Sequence, residues 1–298
     1  MLWNYLVRVS HVFDYIFEKE EVYEHIIVYV ALAAFCIHLG FIFLNHIGLN
    51  IPGVGMGYLS SIYTPFSLLL FYEVFLLILS VPRSLILAVG KQFEIVALIT
   101  LWNSLKDFAK LEEVKIDASF YNSEILRNIG IDLGTALFMF LIIALFYIIA
   151  KKIPEHKTVK HSKFVVKEKV VALVLVLFYI ALAIFDILRF FFEAHPTSLP
   201  LQFGGTTFYQ NIFTLMIFAN IVGLILSFLY THSFGSVFLN GAFVISTILI
   251  LFSLSNTGPF TSIGLIISMI FSLLVLAVYR FAWMNSRDFR KQEERLDD

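Results

Sequence analysis

Charge is scarce in this sequence. Only 14% of its 298 residues are Asp, Glu, Lys or Arg, against about 25% in soluble globular domains. Hydrophobic residues make up 59%, too many for a water-soluble core of this length to hide, so lipid is the solvent that fits. Cysteine occurs once, as Cys36, which excludes an intrachain disulfide framework and a cysteine-built zinc site. The formal net charge is −1, and no basic excess points to nucleic acid. The usual catalytic signatures are missing as well. There are no paired histidine boxes, no HExxH, no GxSxG and no phosphate-binding glycine loop with its lysine. No Arg or Lys recurs at every third residue to sense voltage. No span carries a lysine placed for a retinal Schiff base, and no stretch is large enough for a soluble catalytic domain. These absences argue against an enzyme and give no reason to expect a cofactor. Residues 1–24 carry Arg8, Asp14, Glu18, Lys19, Glu20, Glu21 and Glu24, and they lack the apolar core and small-residue cleavage site of a signal peptide.

What is present is long apolar runs. Crossing a hydrocarbon layer of ~30 Å takes about 20 mostly apolar residues. Eight stretches qualify: 26–47, 59–81, 85–105, 129–150, 170–191, 209–230, 237–255 and 260–282. Each must be a helix, because a lipid-exposed backbone has to satisfy its own hydrogen bonds and none of the runs alternates like a barrel strand. The third run carries Lys91, Gln92 and Glu94 and has an alternative reading as an interfacial helix. The short Val81-Pro82-Arg83-Ser84 link between two full-length runs favours spanning. The expected fold is therefore an all-α polytopic bundle of about eight spans.

Lysine and arginine set the orientation. The segment 151–169 holds Lys151, Lys152, Lys157, Lys160, Lys163, Lys167 and Lys169, and the tail holds Arg287, Arg290, Lys291 and Arg295. Both are expected on the cytoplasmic side, as are the two termini, in the cell (inner) membrane. The loops 48–58, 192–208 and 256–259 contain neither Lys nor Arg and belong outside. The segment 106–128 fits this pattern least well, with its basic residues offset by acidic ones. Residues 1–24 have Leu2, Tyr5, Leu6, Val9, Phe13, Ile16 and Phe17 near one face, the pattern of an amphipathic helix resting on the membrane surface.

The second and sixth spans resemble each other. FSLLLFYEVFLLILS at 66–80 and FTLMIFANIVGLILS at 213–227 share seven of fifteen positions. The preceding loops both pass from a histidine through a proline and glycines to a tyrosine. This suggests tandem four-helix repeats in parallel orientation, an arrangement found in transporters. The expected organisation is 1–24 as a cytoplasmic amphipathic helix, 25–152 as the first four-helix unit, 153–284 as the second and 285–298 as a charged cytoplasmic tail.

Ionisable groups inside spans cost about 2.5–3.5 kcal/mol each on insertion scales and therefore face partners or water. Glu73 and Lys91 fall at one level of two spans joined by a tight hairpin, and Glu94 lies one turn above Lys91. Together they read as an inner relay, a gate, or an ion pair that fixes helix register. Asn220 takes the position of Glu73 in the second repeat. Asp132, Asp186 and Arg189 lie toward the outer ends of their spans and read as an outer polar set, with Arg189 also able to snorkel. His46 and His195 stand at matching outer positions and are weak candidates for a metal. His38 is weaker still. The leading functional expectation is a transporter or channel for a small ion or solute, with proton linkage as one form of it. The alternative is a non-transporting scaffold or sensor subunit that docks a partner or anionic lipid through its basic loop. A membrane-embedded enzyme ranks third. The bilayer is the expected partner, and homo-oligomers would be unsurprising.

Overall fold

In a computed structural model, the described residues are 2–49, 51, 57–112, 124–153, 159–193, 206–230, 234–256 and 258–283. They form nine α-helices and no strands. The helices are α1 (Leu2–Glu18), α2 (Glu20–His46), α3 (Tyr63–Ser80), α4 (Leu85–Glu112), α5 (Glu124–Ala150), α6 (Val159–Glu193), α7 (Thr206–Tyr230), α8 (Phe234–Leu254) and α9 (Pro259–Val278). Helices α2 to α9 are each long and apolar enough to cross a membrane. At 1.5 Å per residue, even the shortest candidate span, the 21 residues of Phe234–Leu254, reaches about 30 Å. The tail 285–298 and the loops around Pro52 and Leu199 lie outside the described residues.

The outward surface is what a lipid solvent permits. Phe140, Leu177, Phe252 and Phe260 are all more than 60% exposed, which water would penalise and hydrocarbon does not. The interior is built from Leu77, Phe93, Val96, Trp102, Met139, Phe146, Phe213, Phe243 and Met269, all fully or almost fully buried. Helices α2 to α5 pack in chain order, and so do α6 to α9. The two sets meet where α5 packs on α9, α4 on α8 and α3 on α6.

Helix α4 is the centre of the bundle. Over its most apolar stretch 56% of residues are buried, against 17% for α2. The run whose Lys91, Gln92 and Glu94 made spanning least obvious in the sequence is thus the one most surrounded by protein. Gln92 is wholly enclosed by neighbouring helices, and Lys91 and Glu94 are mostly covered by them.

Close approach is achieved by small residues. On α8 and α9, Ser246 and Ser268 exchange hydrogen bonds, with 2.9 Å between their hydroxyls and 2.8 Å from Ser268 Oγ to the Ser246 carbonyl. A methyl group on Gly264 would meet Ser253 Oγ. Gly258 has φ +72°, a left-handed conformation suited to glycine. It turns the chain into α9, where Pro259 stands in the first turn at no cost in hydrogen bonding.

The link 81–84 closes one end of the bundle, called here the hairpin end. Arg83 pairs with Glu20 at 3.2 Å and lies 3.7 Å over the Phe17 ring, tying α1 and α2 to the hairpin. Several boundaries differ from expectation, with α4 running on to Glu112 and α5 starting at Glu124. Residues 20–24 belong to α2, not to the amphipathic helix. Helix α6 starts at Val159 instead of near 170, because from there on the lysine-rich segment holds no Gly or Pro and its Lys and Glu residues favour helix, so it continues the helix beyond the apolar stretch. Helix α1 packs on α6, with Phe13 buried and Asp14 bound to Lys169 Nζ.

Candidate functional site

One face of α4 organises the polar interior. At about 100° per residue, Leu85, Gln92, Ile99, Asn103 and Lys106 fall within roughly 60° of one another. This face looks across to the second set of helices, and polar groups recur along it at separate levels.

At the end opposite the hairpin lies a cavity of about 310 Å³. Helix α4 contributes Thr100, Trp102, Asn103, Lys106 and Asp107 to its wall, α5 contributes Asn128 and Asp132, α7 contributes Tyr209, and α9 contributes Thr261 and Ser262. Both four-helix sets therefore build it. The Ser262 side chain hydrogen-bonds Asp132. Lys106 Nζ sits 3.5 Å over the Trp102 ring, a cation–π contact. Trp102 in turn meets Tyr209 edge-on at 6.3 Å. With two carboxylates and one ammonium, the cavity has an excess of negative charge.

Two turns deeper on the same α4 face is a buried polar junction. Thr247 Oγ1 donates to Gln92 Oε1 at 2.7 Å, and Asn220 Nδ2 donates to Thr247 Oγ1 at 2.9 Å. Gln92 and Thr247 are wholly buried and Asn220 nearly so. The junction joins α4, α7 and α8. Gln92 Nε2 and Asn220 Oδ1 remain without partners.

The charged triad lies elsewhere on α4. Lys91 Nζ is 3.3 Å from Glu73 and 2.6 Å from Glu94, and the Tyr147 hydroxyl donates to Glu94 at 2.7 Å. Gly90 makes room for that phenol, since a Cβ there would lie 2.8 Å from the Tyr147 oxygen. The direction of Lys91 and Glu94 is roughly 130° from the cavity face. Each member is 27–28% exposed, on the side where α3, α4 and α5 meet the surroundings. Glu73 and Asn220, which the repeat matched, thus sit in separate networks.

The other sequence candidates divide as follows. Asp132 lines the cavity. Asp186 is half-buried and near enough to Tyr209 for its charge to act on the phenol, but it does not line the cavity. The side chain of Arg189 and all of His195 lie outside the described residues. His46 is exposed, stacks on Tyr58 at 5.0 Å and bonds back to the Ile42 carbonyl through Nδ1. His38 is buried and bonds Thr64 at 2.6 Å. Among the described residues no cluster of three or more His, Cys, Asp or Glu is placed to hold a metal.

Sequence reasoning passed over Gln92 as a site residue, along with Thr247, Tyr147, Asp107 and Glu168. A signal existed for two of them. Gln92 is seven residues from both Leu85 and Ile99, on the buried face. Glu168 shares a 4-3-4 spacing with Ala172, Leu175 and Tyr179, all buried.

No protein-family model, curated protein or solved structure matches the chain. Its class rests on its own architecture: an all-α polytopic membrane protein of eight candidate spans.

Proposed function

We propose that this protein carries a small ion or polar solute across the membrane, along the α4 face between the two four-helix sets. The observation that carries this reading is the cavity. It sets charged, amide and hydroxyl side chains in a partly apolar wall, opens at one end of the bundle, and takes residues from both sets of helices. Directly beneath it on the same face, the Gln92–Thr247–Asn220 junction places two amides and a hydroxyl where the two sets of helices meet. Two carboxylates, Asp107 and Asp132, favour a cation or a cationic group at the mouth. The hairpin end is the cytoplasmic one, because the lysine-rich segment 151–169 emerges there. In this reading Glu73, Lys91, Glu94 and Tyr147 lock α3, α4 and α5 together instead of lining the path.

The test is flux in proteoliposomes. Purified protein is reconstituted with a trapped pH dye and challenged with Na⁺, K⁺ and proton gradients, then with small amines. Transport that is lost in Asp132→Asn and Gln92→Met but kept in Glu73→Gln supports the α4-face path. Loss in Glu73→Gln alone moves the path to the triad. If the wild-type protein passes nothing, transport is wrong and the scaffold reading takes its place.

A further inference from the structure

Glu168 has no role in the account so far, and its environment is unusual. It lies on α6 near the hairpin end, 3% exposed, with Oε1 buried and unpartnered. Its nearest architecture is apolar. The space beside Gly223 of α7 holds both Glu168 Oε1, 3.7 Å from where a glycine-borne Cβ would stand, and the Leu85 side chain of α4 at 3.3 Å. Glu168 therefore sits where α4, α6 and α7 converge, at the Leu85 end of the polar face described above.

The charged groups on neighbouring elements are committed or turned away. On α6, Lys169 binds Asp14 of α1 and Lys167 makes a contact of its own. On α1, Arg8, His11 and Glu18 are exposed. On α3, Glu73 is held by Lys91. In the hairpin, Arg83 is held by Glu20. Helix α7 carries no acidic or basic side chain at all. A bare carboxylate in such a place is costly, and none of the described side chains around it supplies the positive charge it calls for. One helical turn from Gly223 on α7, Asn220 carries a second buried oxygen without a donor.

We propose that Glu168 is the binding site of a small hard monovalent cation, a proton or Na⁺, at the cytoplasmic end of the path. Glu168 Oε1 is the ligand. The inference rests on the proposed path for its meaning as a coupling site, but the binding itself needs no transport. The glycine at 223 is part of the device, since a larger side chain there would fill the space beside the carboxylate.

Binding is tested on full-length protein in detergent. In the sodium arm, melting is compared in NaCl and in choline chloride of equal ionic strength. Saturating Na⁺ should raise the melting temperature of the wild type by roughly 3–6 °C and should not move Glu168→Gln. In the proton arm, infrared spectra are compared for a protonated-carboxyl band present in the wild type and lost in Glu168→Gln. Gly223→Ser guards against a variant that fails to fold, because its hydroxyl can donate to Glu168 and should weaken either signal while keeping the fold. A response in either arm identifies the cation. No sodium shift and no carboxyl band, or signals that persist in Glu168→Gln, overturn the proposal. If vesicles pass nothing while Glu168 still binds its cation, the transport reading fails and the site stands.

Discussion

Thr247→Val tests whether the buried junction holds the two halves together. Valine keeps the shape of threonine and replaces one hydroxyl by a methyl group. That hydroxyl bridges Gln92 at 2.7 Å and Asn220 at 2.9 Å, in a region that is 0–3% exposed, so water cannot substitute for it. A stranded buried polar group costs about 1–3 kcal/mol in soluble proteins. Interhelical bonds in membranes average only about 0.6 kcal/mol, with a maximum near 1.7, because helices separated in lipid find other partners. Two such bonds lost together should cost roughly 1–3 kcal/mol. For a chain of this size that lowers the melting temperature by about 2–5 °C. The assay is thermal unfolding in mild detergent, followed by tryptophan fluorescence and by loss of monodisperse protein. Thr247→Ser is the control. It keeps the hydroxyl, gives up a methyl group, and should cost about 1 kcal/mol. In a Gln92→Met background, Thr247→Val should cost clearly less, because one of its partners is already gone. The reasoning is refuted if Thr247→Val melts with or above the wild type, if Thr247→Ser is the worse of the two, or if the double variant is strictly additive.

Lys91→Met leaves Glu73 and Glu94 facing each other without their cation. We expect a loss of roughly 2–4 kcal/mol, somewhat below the ~3–5 of a fully buried pair because each group retains about 28% exposure. Adding Glu73→Gln should restore part of that stability, and an unchanged melting temperature in Lys91→Met would remove the triad as a helix lock. Gly264→Ala brings a Cβ to 3.1 Å from Ser253 Cβ as well as onto its oxygen, and overpacking of this kind costs about 1–3 kcal/mol. Ser253→Ala in the same chain should recover a fraction of it. Equal melting of Gly264→Ala and wild type would mean that α8 and α9 lie farther apart than described.

Several parts of this picture were legible in the residues. The eight spans followed from apolar run length, since each run alone had to satisfy its backbone in lipid. Glu73 and Lys91 could be placed at one level by counting residues on either side of a tight hairpin. Asp132 could be placed near one end of its span by the same count. Direction around the helix was harder. Glu73 and Asn220 occupy matching places in similar stretches, yet one meets a lysine at the edge and the other an amide network in the interior. Composition along a single helix does not say which neighbour each face meets.

What the sequence determined by itself is the solvent and the number of crossings, because hydrophobicity summed over about twenty residues is a local property that no packing can reverse. The tertiary structure decided which polar groups share a space. It made α4 the central helix, joined Gln92 to Thr247 across 155 positions of chain, and enclosed Glu168 within a segment that reads as a solvated basic loop. Those outcomes depend on how helices rotate against one another, and small residues such as Gly90, Gly223 and Gly264 set that rotation only when their partners from distant sequence are in place.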